Sequence, residues 1–298
     1  MSLEALAPPR RSVQDRGVRE YDSLRRRTKA LVTAALVAMV ASWCLGGAPA
    51  RADAPATYYL ALGDSGAVGV QAGRGPTDEG YTDDLHAALK ARRPGLRLVK
   101  LGCPGETTTT MLKGGICSYA AGSQMNAALD FLKRHRGRVR YVTLSIGVNN
   151  VGCMLDGDLA CGLKGVGGLV TELPQITAGL RAAGGGTPVY ASMTYYDPGL
   201  ASWVKGDRAT AIASVPMLDA FNGVQRAAAL AGGFKVADVA TAFAAHAFST
   251  EVALPPYGTV PLNVARICAW TSQCARGDGH ANATGYRHIA AAFLTTLT

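Results

Sequence analysis

The chain has 298 residues, 48% of them hydrophobic and 17% charged, which is too apolar and too sparsely charged for a disordered protein. It is long enough to bury a sizeable core, its 36 glycines follow no Gly-X-Y period, and no repeated unit is visible, so collagen, solenoids and propellers are excluded. The net charge of +9 points at first to nucleic acid, but residues 1–52 alone hold nine Lys/Arg against four acids, and the other 21 cations are scattered among 17 acids with no basic stripe. No nucleic-acid partner is expected.

The N-terminus reads as a secretion signal and leader. Arg25-Arg26-Arg27-Thr28-Lys29 precede an apolar run from Ala30 to Leu45, and Ala50-Arg51-Ala52 then offers a small-residue cleavage site, with the cut expected after Ala52. The rival reading is a membrane anchor, but the run has 16 residues where about 20 are needed to span a bilayer. The mature protein, residues 53–298, is therefore expected outside the cell with no stable membrane span. Cys44 leaves with the leader. Six cysteines remain in three close pairs: Cys103/Cys117, Cys153/Cys161 and Cys268/Cys274. An even count in an exported chain reads as disulfides, and sequential pairing is favoured because short loops close first. No C-x-x-C or H-x₃-H spacing supports a zinc site, so no metal or other cofactor is expected.

Strands and helices then alternate. Thr57–Leu62 is an apolar and aromatic strand ended by Gly63; Tyr81–Arg92 is a helix stopped by Pro94-Gly95; Leu96–Leu101 is a second strand ended by Gly102. Ser123–Arg136 is helical, with Met125, Leu129 and Leu132 on one face, and Arg138–Ile146 is a third strand ended by Gly147. Gly165–Ala183 is helical despite its glycines, Thr187–Met193 a fourth strand, Thr210–Ala231 a helix and Phe234–Val239 a fifth strand. Residues 246–266 form a Pro-bearing insertion without clear period, and Asn282–Leu297 is a terminal helix. This alternation predicts an α/β fold: a five-stranded, mostly parallel sheet covered by helices on both faces.

In such sheets the site lies beyond the carboxyl ends of the strands. Gly63-Asp64-Ser65 follows the first strand, Gly102 the second and Gly147-Val148-Asn149-Asn150 the third, while Asp278-Gly279-His280 precedes the last helix. Ser65 there is an exposed nucleophile candidate that needs a base. Of the five mature-chain histidines, His86 and His135 fall on polar helix sides, where solvation is expected, and His288 lies within a helix. His280 stands in a loop with an acid two residues before it, so it is the base candidate, with Asp278 to fix its tautomer. The Gly102 N–H and the Asn149 amide are candidate oxyanion donors. The glycine-rich turn at 63–69 is no dinucleotide loop, since Ser65 stands in the second glycine's place, and Gly-Lys-Ser/Thr is absent. Tyr195-Tyr196-Asp197-Pro198 and the 246–266 insertion are read either as cleft walls or as ordinary loop packing.

These four blocks together resemble the SGNH, or GDSL-type, hydrolase family over about residues 57–297. Gly63-Asp64-Ser65 with Gly66-Ala67-Val68-Gly69 is similar to the first block, Leu101 through Thr108 to the second, Gly147-Val148-Asn149-Asn150 to the third, and Asp278-Gly279-His280-Ala281-Asn282 to the fifth. The resemblance implies a single three-layer, flavodoxin-like domain over 53–298. It also implies a serine nucleophile at Ser65, a base at His280, and an oxyanion hole of the Ser65 N–H, the Gly102 N–H and the Asn149 side chain. The three cysteine pairs and the Cys268–Cys274 segment resemble the secreted actinobacterial lipase/esterase branch. The implied activity is hydrolysis of an ester or lipid substrate by a monomer; a carbohydrate O-acetyl esterase and a non-catalytic surface-binding module are the alternatives. Two positions depart from the pattern: Asn150 stands where the third block usually ends in Asp, and Gly277 stands three before the histidine, where the family places its aspartate.

Overall fold

A computed structural model of the chain describes residues 56–156 and 158–298. The leader, its cleavage after Ala52 and Cys44 lie outside the described residues. Five strands form one sheet: β1 Thr57–Gly63, β2 Leu96–Lys100, β3 Val139–Ser145, β4 Val189–Met193 and β5 Lys235–Ala237. Their order is β2-β1-β3-β4-β5 and every pairing is parallel. β1 is interior, between β2 and β3, which is why Tyr59, Leu60, Ala61 and Leu62 are apolar in a row and fully buried instead of alternating.

The helices are α1 Tyr81–Arg92, α2 Thr108–Lys113, α3 Gln124–Arg134, α4 Val148–Val151, α5 Leu159–Gly184, α6 Arg208–Ala231, α7 Val239–Ala242, α8 Leu262–Trp270, α9 Gln273–Arg276 and α10 Ala283–Leu297. The right-handed rule for parallel crossovers sorts them. The β1-to-β2 connection runs one way across the sheet and the later connections run the other. Hence α1 lies on one face and α3, α5 and α6 on the other. α10 joins α1, where Tyr81 stacks on Phe293 with ring centroids 4.9 Å apart. Its inward face is Tyr286, Ile289, Ala290, Phe293 and Leu297, a spacing of three and four. Truncating Phe293 to Ala would cost about 3–5 kcal/mol.

Three features differ from the sequence expectation. The helix predicted from Gly165 starts at Leu159, because the Asp158 carboxylate accepts the Cys161 N–H at 2.9 Å and supplies a cap. The 246–266 insertion is an antiparallel hairpin, β6 Glu251–Leu254 with β7 Gly258–Pro261, followed by the start of α8. His86 and His135 are half-buried rather than simply solvated, each with a protein contact. The His86 ring bonds the Leu96 carbonyl at 3.0 Å, and the His135 ring packs against Tyr58 and Phe131 with its Nδ1 buried and unpartnered. Among the described residues no helix is long and apolar enough to cross a membrane.

The strand order reverses direction between β1 and β3. A crevice opens at such a switch point beyond the carboxyl ends, and both strands end there, with Gly63 paired to Ser145.

Candidate active site

The first strand delivers Ser65 into a tight turn. Asp64 caps that turn: its Oδ1 accepts the Gly66 N–H at 2.9 Å. Behind it, Gln124 clamps the end of β1, accepting the Gly63 N–H at 2.7 Å and donating to the Gly63 carbonyl at 2.9 Å. The nucleophile candidate thus stands on a backbone held from two sides, and Ser65 itself is only 8% exposed.

His280 reaches it from the far end of the sequence. A short strand, β9 Asp278–Ala281, pairs antiparallel with β8 Thr271–Ser272. That strand is held from below by Tyr196, whose hydroxyl donates to the Gly279 carbonyl at 2.7 Å. His280 Nε2 lies 2.9 Å from Ser65 Oγ, and Nδ1 lies 2.6 Å from Asp278 Oδ1. Burial alone would push the Asp278 carboxyl up, but the His280 backbone N–H, the His280 ring and the Arg276 charge outweigh it and hold the group below its ordinary value. A carboxylate only accepts, so Nδ1 carries the proton and Nε2 presents its lone pair to the Ser65 hydroxyl. Asp278 and His280 stand two apart in the extended strand β9, which puts both side chains on one face.

Two other histidines meet partners elsewhere. His246 pairs with Asp219 at 3.0 Å on an exposed surface, and His288 stacks on Trp270 at 3.7 Å. Neither bonds a hydroxyl among the described residues.

The expected oxyanion donors sit at three successive strand ends. Leu101 N–H and Cys103 N–H donate to the Ala61 and Gly63 carbonyls, and the Gly102 N–H between them has no protein acceptor among the described residues; nor has the Ser65 N–H. Gly102 is glycine for a packing reason, since a Cβ there would stand 2.6 Å from the Ala67 Cβ in the nucleophile turn. Asn149, in α4, gives one amide hydrogen to the Glu106 carbonyl at 2.9 Å and keeps the other on an exposed side chain.

Several neighbouring residues have environments that the sequence does not show. Asp64 is 2% exposed, and burial pushes its carboxyl up to about 7 against the hydrogen bonds from Gly66 and Tyr195. Tyr195 is buried, with its hydroxyl 3.5 Å from Asp64 Oδ2 and its backbone clamped by Asn222. Tyr195 packs on Phe221 and Tyr196 stacks on Phe243, contacts that fit the packing alternative of the two readings. Glu106 is fully buried; its Oε2 accepts from Gln124 at 2.9 Å while its Oε1 is unpartnered. The three disulfides are Cys103–Cys117, Cys153–Cys161 and Cys268–Cys274. They follow Gly102, follow Asn149 and precede His280, respectively.

The model of the GDSL-like lipase/acylhydrolase family matches residues 61–288. No curated protein matches the sequence. An extracellular lipase from Streptomyces rimosus superposes with a TM-score of 0.50 at 20% identity, covering 81% of this chain and all of that one. A variant acetyl-xylooligosaccharide esterase from Geobacillus stearothermophilus gives a TM-score of 0.51 at 16% identity, over 81% of this chain and 94% of that one. At such identities the likeness speaks for the three-layer fold.

Proposed function

The chain belongs to the GDSL-like lipase/acylhydrolase family, and from that premise we propose that it is a secreted serine esterase/lipase cleaving carboxylic esters through an acyl-enzyme on Ser65. The observation that carries this reading is the relay Asp278–His280–Ser65, with separations of 2.6 Å and 2.9 Å.

The Ser65 oxygen attacks the ester carbonyl while its proton moves to His280 Nε2, and Asp278 stabilises the imidazolium that results. The tetrahedral oxyanion takes hydrogen bonds from the Ser65 N–H, the Gly102 N–H and the free Asn149 amide hydrogen. Collapse breaks the bond to the alcohol, which leaves with the proton from His280. Water then attacks the acyl-enzyme with His280 as base and releases the carboxylic acid. No cofactor takes part.

Residues 53–298 act in this reading as one hydrolase domain and as a monomer, with 1–52 a leader removed after Ala52. The three disulfides and the leader pattern support secretion, and the Streptomyces rimosus lipase is itself described as extracellular. The same cysteine pairs support placement in the secreted actinobacterial branch. The O-acetyl esterase alternative draws on the Geobacillus neighbour.

The test is turnover of p-nitrophenyl esters of increasing acyl length, beside acetylated xylo-oligosaccharides. The expected result is preference for acyl esters, loss of turnover in Ser65→Ala, and a drop on the order of 10²–10³ in kcat for Asn149→Ala. A preference for the sugar acetates selects the alternative, and full activity of Ser65→Ala overturns the mechanism.

A further inference from the structure

Behind the turn that carries Asn149 lies a polar network that takes no part in the reaction above. Asn150, the next residue of α4, grips Thr108 at the start of α2. Its Oδ1 accepts the Thr108 N–H at 3.0 Å, and its Nδ2–H donates to Thr108 Oγ1 at 2.7 Å. Thr108 is fully buried, and its hydroxyl donates a hydrogen bond to Glu172 Oε2 at 2.6 Å. Thr109 donates to both oxygens of the same carboxylate, at 2.8 Å and 2.9 Å. Glu172 belongs to α5, two turns beyond Gly165 on the same face. At Gly165 the helix backbone approaches so closely that a Cβ would stand 1.9 Å from the Asn150 carbonyl oxygen.

The proton count is closed in one direction only. The chain runs Asn150 amide to Thr108 hydroxyl to Glu172 carboxylate, and the Thr108 oxygen between them receives one hydrogen and gives one. The reversed Asn150 amide would set its NH₂ against the Thr108 N–H. An aspartate at 150 offers acceptors alone. The single Thr108 proton would then face two carboxylates, leaving one acceptor unmet and two like charges joined through one hydroxyl. In a half-buried site that arrangement is costly.

We propose that Glu172 is a positioning residue for the oxyanion hole, and that it requires an amide rather than a carboxylate at position 150. The two members act through Thr108 to tie the loop after β2, which carries Gly102, to the turn after β3, which carries Asn149. This rests on the reading of Asn149 as an oxyanion donor. It also gives a physical reason for the departure of the third block from its usual Asp: in this chain the charge lies on α5 instead.

The test is a double-mutant cycle on the mature protein: Asn150→Asp, Glu172→Gln and the two together, each assayed for kcat and KM on a p-nitrophenyl ester and for Tm. Asn150→Asp is expected to lower kcat about tenfold or more with KM little changed, because the displaced donor serves the transition state and not the substrate. In the double variant the chain of protons runs backwards, from the new amide at position 172 through Thr108 to the new carboxylate at position 150. Its kcat is expected to return to within about threefold of the parent, a coupling that separate sites do not show. A parental kcat in Asn150→Asp, or no recovery on adding Glu172→Gln, overturns the proposal. So does recovery of Tm without recovery of kcat, which is what a purely structural brace would give. If Asn150→Asp does not fold, the double variant decides alone: folded with near-parental kcat supports the proposal, and unfolded or inactive overturns it. Asn149→Ala run alongside separates the two readings. Unchanged kcat there removes the oxyanion role of Asn149 itself, whereas a drop there beside an unaffected Asn150→Asp removes only the role of Glu172.

Discussion

At the residue scale, two carboxyls flank the Ser65–His280 pair in opposite environments: Asp278 bonds His280, and Asp64 lies in the turn that carries Ser65. Asp278 accepts hydrogen bonds from the His280 backbone and ring, which hold it ionised. That contact contributes stability above the ordinary carboxylate range, and the contribution is lost as pH falls through the lowered value. If the carboxylate orients the ring, Asp278→Asn leaves the fold intact and lowers kcat by orders of magnitude, since the amide favours the wrong tautomer; a loss below about tenfold in the same assay removes Asp278 from the catalytic set. Asp64 is the reverse case. Its ordinary value is 3.8 and burial raises it to about 7, so between those limits the unfolded chain holds fewer protons than the folded one. Stability therefore falls as pH rises through that window and levels off above it. Asp64→Asn keeps an acceptor for the Gly66 N–H and cannot ionise. Its Tm should vary less with pH across the window than the parent's, and parallel Tm curves for the two proteins would contradict the buried-acid assignment.

At the scale of elements, the path of the chain is legible where apolar period and strand-end glycines agree, as in β1 before Gly63 and β3 before Gly147. It is illegible where side chains act across elements. Gln124, at the first position of α3, reads as an ordinary helix residue, and only the fold brings it to Gly63, 61 positions away. Glu172 likewise lies 64 positions from Thr108. The His86 and His135 environments escape the sequence because helical period marks a polar side without showing whether a carbonyl or an aromatic ring waits there. Ser65 and His280 stand out in the sequence because each lies next to a strand end or helix start, although the structure places His280 in the short strand β9 where the sequence suggests a loop. The helical period of α5 treats its glycines alike, yet two of them differ in kind. At Gly168 a Cβ would meet Asn150 Nδ2 and Glu172 Oε2 at 3.6 Å and 3.7 Å, ordinary contact distances. Gly168→Ala should therefore gain part of the roughly 1 kcal/mol by which Ala exceeds Gly in a helix, whereas Gly165→Ala should lower both Tm and kcat by displacing the Asn149 turn. Thermal melts of the two variants decide it: equal effects would deny that α5 and α4 meet at Gly165.

At the scale of the whole molecule, the sheet supplies rigidity and the loops supply chemistry, so the loops must be fixed separately. Two disulfides do this beyond β2 and β3, and the third joins α8 to α9 ahead of His280, closing separations of 14, 8 and 6 residues. Loop closure of this size contributes about 2–3 kcal/mol each by the chain-entropy account, and the positional effect is greater, since catalytic groups must be held within about 0.5 Å. Reduction should accordingly depress ester turnover at temperatures where far-UV circular dichroism still reports a folded sheet; activity lost only together with the dichroism signal would assign the bridges to global stability instead. In the proposed mechanism one serine, 215 positions from its base, forms the acyl-enzyme. The most direct measurement of that step is peptide mapping by mass spectrometry after reaction with a fluorophosphonate. The account predicts a single adduct on Ser65, abolished in Ser65→Ala and strongly slowed in His280→Ala, whereas an adduct on another residue, or none from a protein that still turns over esters, would contradict it.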